Sequence, residues 1–211
     1  MTTKRMLVLL VLVFSAKCLS AEDFNSLDPP TVLKPVPAQY GDDKRLFQGI
    51  PSTTLSPQGR VWVNWYAGGD SEGDENYVLL ATSGDRAKTW SKPLLAIDIP
   101  GPVRAYDPSM WTDPDGKVWL FWAQSNKWWD GRSGVWCMVS ENADKEIATW
   151  SKPRRICDGI MMCKPIVDSK GRWLLPVSIW TLNPKHAGKT LPEGANVVVS
   201  DDQGETWKFR V

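Results

Sequence analysis

The chain has 211 residues, 42% hydrophobic and 23% charged, a balance that excludes a disordered chain and is long enough to bury a sizeable core. Its 25 basic and 24 acidic residues leave a net charge of +1, so no strong field draws it to nucleic acid or acidic lipid. A single His argues against a His-rich zinc site, and 16 Gly and 16 Pro, many between short apolar runs, favour a β-rich fold over a helical bundle.

In chain order, Lys4 and Arg5 precede an apolar run from Met6 to Phe14, followed by small or polar residues to Ala21. This is the layout of a secretory signal peptide. The run is too short to span a bilayer, which needs roughly 20 apolar residues. Residues 22–46 are then an N-terminal extension or linker in a secreted or periplasmic protein. An oxidising compartment would let Cys157 and Cys163 bridge a short loop, with Cys137 a small buried hydrophobe. No cysteine pair has zinc spacing and no cofactor is expected, although acidic loops leave a calcium site open.

From residue 47 onward the alternation of apolar runs and turn residues predicts strands at Pro51–Leu55, Arg60–Tyr66, Tyr77–Thr82 and Lys92–Ile97. A second set follows at Pro108–Thr112, Lys117–Ala123, Gly134–Ser140 and Lys152–Ile156. A third runs through Lys164–Val167, Arg172–Trp180, Asn196–Ser200 and Lys208–Val211. Two independent markers repeat with this grouping. Ser83-Gly84-Asp85-Arg86-Ala87-Lys88-Thr89-Trp90 returns as Ser200-Asp201-Asp202-Gln203-Gly204-Glu205-Thr206-Trp207, with a stretched copy from Ser140 to Trp150. Gly59-Arg60-Val61-Trp62 returns at Gly116-Lys117-Val118-Trp119 and Gly171-Arg172-Trp173-Leu174. The chain is a repeat array.

Second strands such as Val118-Trp119-Leu120-Phe121-Trp122 are apolar on both faces and must be covered on both. Four-stranded sheets stacked around an axis provide that cover, so the expected fold is an all-β propeller with blades near 47–98, 99–157 and 158–211. Trp62, Trp119, Trp122 and Trp173 would fill the wedges between sheets. A propeller needs about four to eight blades; three are present here, which reads as half of a six-bladed array.

The Ser-x-Asp-x-Gly-x-Thr-Trp pattern resembles the Asp-box, or BNR repeat, of the sialidase (neuraminidase) superfamily, over about Phe47 to Val211. The box itself reads as structural, with Asp85 and Asp202 capping backbone donors. The resemblance implies that substrate sits at the opposite end of the sheets. There, Tyr66-Ala67-Gly68-Gly69 and the run from Asp70 to Asp74 are similar to the sialidase loop that carries an acid/base Asp, which maps to Asp74. Tyr106-Asp107-Pro108-Ser109 is similar to the Asp-Pro-Ser start of the second blade, which carries a pocket Asp. Asp74 and Asp107 are therefore the candidate catalytic residues, and Asp70, Arg104, Trp128, Trp129, Arg132 and Lys164 the candidate substrate-binding residues. Trp128-Trp129 is a pair of adjacent aromatics in a polar loop, suited to stacking on a sugar or to packing on a neighbouring loop. Two sialidase arginines that grip the substrate carboxylate are replaced, by Gly49 and Gly69, and the tyrosine nucleophile would lie in later blades.

The expected function is that of a secreted sialidase-like glycoside hydrolase acting on terminal, possibly acidic, sugars of a glycan partner. A non-catalytic carbohydrate-binding propeller and a protein-interaction propeller are the alternatives.

Overall fold

The computed structural model describes residues 24–126, 132–180 and 192–210. Thirteen strands among these residues form three antiparallel sheets. Sheet 1 contains β2 (Gln48–Leu55), β3 (Val61–Ala67), β4 (Tyr77–Ser83) and β5 (Leu95–Asp98), with β1 (Thr31–Leu33) added beside β5. Sheet 2 runs β6 (Val103–Thr112), β7 (Val118–Asn126), β8 (Gly134–Ser140) and β9 (Arg154–Asp158). Sheet 3 runs β10 (Ile166–Val167), β11 (Trp173–Ile179), β12 (Gly194–Ser200) and β13 (Lys208–Phe209).

The doubly apolar second strands explain how the sheets stack. Along β7, Val118, Leu120 and Trp122 pack with Trp62, Tyr66, Val78 and Leu80 of sheet 1. The alternate residues Trp119 and Phe121 pack with Trp173, Leu175 and Val177 of sheet 3. A period of two sends successive side chains to opposite faces, so one strand serves two cores. Trp62, Trp119, Trp122 and Trp173 are all buried in these layers, as their wedge-filling role requires. Each such side chain contributes roughly 1.5–3 kcal/mol by leaving water.

Two features differ from the sequence reading. The segment expected to be an extension or linker is packed: Leu33, Val36 and Tyr40 lie against Ala67, Tyr77, Leu79 and Ala96 on the outer face of sheet 1. Further upstream, Asn126 and Gln124 of β7 donate to the carbonyls of Phe24 and Ser26. The possible Cys157–Cys163 bridge is not formed, and Cys137, Cys157 and Cys163 all carry free thiols. Cys137 is buried and Cys157 packs beside the same core, where loss of hydration pushes both thiols up to about 12.

The start of each sheet carries an X-Pro step at a 57-residue interval, Ile50-Pro51, Asp107-Pro108 and Lys164-Pro165. In the first two, the pairing slips by a bulge between Gly49 and Ser52 and between Tyr106 and Ser109. The residue before proline has positive φ in both, 39° at Ile50 and 44° at Asp107. A bulge re-aims a side chain, and positive φ in a non-glycine residue costs of order 1–3 kcal/mol. At Asp107 this strain falls on a carboxyl group.

Candidate functional site

The β3–β4 connection, residues 68–76, leaves sheet 1 at the end opposite its Asp-box. Asn76 is fully buried and holds the loop backbone in shape. Its amide nitrogen donates to the carbonyls of Gly68 and Ser71, and its side-chain oxygen accepts from Gly73 N at 2.8 Å. Asn76 also accepts from the backbone N–H of Ala105 on β6 at 2.9 Å. That bond brings the loop of sheet 1 to the first strand of sheet 2.

Four side chains meet there: Tyr66 from β3, Glu72 from the loop, and Arg104 and Asp107 from β6. The Tyr66 hydroxyl donates to Glu72 Oε1 at 2.6 Å. Arg104 Nη2 lies 3.8 Å from Glu72 Oε2, and the Arg104 guanidinium sits 3.9 Å from the centroid of the Tyr106 ring. Arg104 is 1% exposed and Asp107 6%, whereas the Glu72 side chain is 42% exposed. The site is a buried cation and a buried carboxyl covered by one solvent-facing carboxylate.

Burial sets the electrostatics. Loss of hydration pushes the Asp107 carboxyl up to about 6; Arg104 opposes the shift and Glu72 adds to it. A carboxyl in that range exchanges its proton near neutral pH, which is what a general acid requires. Burial, then the hydrogen bond to Glu72 and the nearby carboxylate charges, raise the Tyr66 phenol above its ordinary value. Tyr66 stays protonated and acts as a hydrogen-bond donor.

Of the residues singled out from sequence, Asp107 and Arg104 are brought together. Asp74 and Asp70 are not brought into this cluster. They line an open depression on the outer side of the same loop with Lys44, Gly69 and Glu75, because the Asn76-clamped loop turns Glu72 inward instead. Arg132 stands at the start of β8, where its carbonyl accepts from Ser26 Oγ at 2.8 Å. Lys164 reaches across to donate to the Thr53 carbonyl of β2 at 2.5 Å. Trp128 and Trp129 lie outside the described residues. Among the described residues, no three His, Cys, Asp or Glu side chains converge as a metal site, and no helix is long and apolar enough to cross a membrane.

Tyr66 and Glu72 are the members that sequence reasoning did not place. Four carboxylates in six residues look alike in sequence, and the buried Asn76 that decides their directions is the signal that could have separated them. The structure also accounts for Gly49. A Cβ there would stand 3.1 Å from the Phe47 ring and 3.3 Å from the Tyr66 ring, so glycine leaves room for the tyrosine that reaches Glu72.

A family profile for the BNR repeat-like domain matches residues 59–210. No curated protein sequence matches the chain. Among solved structures, the chain is similar to the Hadza microbial sialidase Hz136 with 18% identity and a TM-score of 0.58, over 81% of this chain and 38% of that one. It is similar to a protein of unknown function from Dyadobacter fermentans at 16% identity and a TM-score of 0.56, over 86% of this chain and 57% of that one. It is also similar to the K499G mutant of the NanB sialidase from Streptococcus pneumoniae, at 13% identity and a TM-score of 0.53, over 78% and 44%. The chain thus spans between about two fifths and three fifths of the lengths of these structures. With Asp-box turns in sheets 1 and 3, an Asn142 version of the turn in sheet 2 and a profile match across most of its length, the chain belongs to the BNR repeat-like domain family.

Proposed function

We propose that these sheets form half of a six-bladed, sialidase-like propeller of a secreted protein that hydrolyses terminal sugars of glycans. The observation that carries this reading is a buried carboxyl, Asp107, held near neutral pKa beside Arg104 at the loop end of the sheets. Asp107 is the proton carrier in this reading. It protonates the leaving glycosidic oxygen, while Arg104 and the Tyr66 hydroxyl bind an acidic or hydroxyl group of the sugar. Arg132, which precedes β8, would extend the sugar-binding surface, and Trp128 and Trp129 are the sequence candidates for stacking on the sugar. Asp74, on the outer side of the 68–76 loop, is the competing choice for the proton carrier.

The test is hydrolysis of a panel of aryl glycosides by the wild type, Asp107→Asn and Asp74→Asn, with folding checked by circular dichroism. Removal of a general acid costs about 10²–10⁴ in rate. A loss of that size in Asp107→Asn alone is expected. Full activity in Asp107→Asn removes Asp107 from the mechanism, and a loss confined to Asp74→Asn transfers the role.

One observation favours a second reading, a carbohydrate-binding propeller without turnover. Gly49 and Gly69 stand where sialidases carry arginines, and a side chain at Gly49 would crowd the Phe47 and Tyr66 rings. Saturable glycan binding with no hydrolysis of any substrate would select it.

A further inference from the structure

Arg104 is closed off from solvent, so the proposed site cannot bind an anion as it stands. Its solvent-facing neighbour Glu72 is itself an anion. Glu72 presents one carboxylate oxygen to the Tyr66 hydroxyl and the other to the Arg104 guanidinium. A hydroxyl donor and a cation aimed at the two oxygens of one carboxylate are the recognition elements for a carboxylate ligand. We infer that Glu72 is the internal occupant of an anion seat formed by Arg104 and Tyr66, and that a carboxylate-bearing ligand enters by exchange with it. The sugar that carries the carboxylate rests on the function proposed above; the seat rests on the residues themselves.

Two features fit exchange. Glu72 is the solvent-facing member of the cluster, while Tyr66, Arg104 and Asp107 are buried. The loop backbone is fixed by Asn76, so Glu72 needs only to rotate its side chain and no lid has to open. The charge balance also holds: one carboxylate leaves Arg104 as another arrives, and the buried guanidinium is never left without a counter-charge. A neutral sugar offers no such replacement, so the exchange discriminates in favour of acidic ligands.

The experiment uses the full chain and two carboxylate probes, acetate and glucuronate, with glucose as the neutral control, each titrated by NMR. In Glu72→Ala, acetate and glucuronate are expected to bind about tenfold tighter, the effect of removing a competitor held by one charge-assisted hydrogen bond. Glucose affinity should not change. Glu72→Asp keeps the charge on the loop but shortens the reach by one methylene, and should show most of the same gain. The inference is overturned if Glu72→Ala and Glu72→Asp, both folded, bind acetate no tighter than the wild type, or if glucose gains as much as glucuronate. A variant that loses hydrolysis with unchanged affinities also overturns it, by giving Glu72 a part in the chemistry while the glycosidase reading stands. If acetate gains but no sugar binds to any variant, the seat is supported and the glycan reading fails.

Discussion

Aspartates at the two ends of the sheets live in opposite environments. In the Asp-boxes, Asp85 accepts from Thr89 N at 2.9 Å, Thr89 Oγ1 at 2.6 Å and Ser83 Oγ at 2.8 Å. Asp202 repeats this with Thr206 and Ser200. These bonds, led by that from the threonine hydroxyl, hold both carboxylates down at about 2. At the other end, Asp107 is buried and burial lifts it to about 6. A turn that caps its own donors keeps the charge and is indifferent to pH near neutrality. A carboxyl stripped of water keeps a transferable proton, at a cost to the fold. One end of the sheets holds its carboxylates ionised, and the other holds a carboxyl able to carry a proton near neutral pH.

The sharpest way to break this comparison is to remove the cation that makes the buried site tolerable. Arg104→Met should destabilise the fold by on the order of 3–5 kcal/mol at pH 8, because Asp107 and Glu72 lose their counter-charge. Urea unfolding measures it. A loss below about 1 kcal/mol would mean that water already reaches Asp107.

The next largest effect concerns the boxes themselves. Gly204 and Ala87 occupy the same box position, and both have positive φ, 86° and 64°. A Cβ at Gly204 would lie 2.7 Å from atoms of both the Trp119 and Trp173 rings. Ala87 is exposed, in the box of sheet 1, and its methyl meets no such wall. Gly204→Ala should therefore cost about 2–4 kcal/mol, from overpacking and the left-handed backbone together. Ala87→Gly should change stability by less than about 1 kcal/mol. Equal effects would mean that the box alone, and not the sheet stacked on it, sets the preference for glycine.

Asp107→Asn reports the site end through pH. The native carboxyl titrates above its ordinary value, so the folded state binds more protons than the unfolded between about pH 4 and 6. Wild-type stability is therefore lost as pH rises through that window. The variant should be more stable than wild type by about 1–3 kcal/mol at pH 8, with the difference fading by pH 4. Chemical denaturation at the two pH values checks it, and a pH-independent difference would contradict the buried-carboxyl account.

Much of the fold was legible because its signals are periodic. The Asp-box and the Gly-x-Val-Trp marker repeat at one step, and the doubly apolar run at Val118–Trp122 demands a sheet on each side. The packing of residues 24–45 was not legible: Leu33, Val36 and Tyr40 carry no period that tells a strap from a linker. At the site, Asp107 was singled out from its Asp-Pro-Ser motif and Arg104 as a nearby cation, and both lie on β6. Glu72 was not, since its selection over Asp74 depends on a loop shape set by two hydrogen bonds that the Asn76 side chain donates, one that it accepts from Gly73, and one that its backbone carbonyl accepts from Ala105 on another sheet. Such long-range choices leave no local pattern.

The smallest expected effect is at the box aspartates, and its value lies in its sign. Asp202 is held below its ordinary value, so the stability it contributes is present above about pH 4 and is lost as pH falls toward 2. Asp202→Asn should be less stable than wild type at pH 7 and indistinguishable from it at pH 2, the reverse of the Asp107→Asn profile. Short hydrogen bonds within one turn, rather than distant charges, produce the shift, so the difference should survive added salt. Asp85→Asn should follow the same profile with a smaller amplitude. Its box ends in Trp90, which is 46% exposed, whereas Trp207 of the third box packs toward Trp173, with ring centroids 6.4 Å apart. If both variants instead lost stability toward high pH, the two ends of the sheets would not differ in kind, and the assignment of Asp107 to chemistry would lose its physical basis.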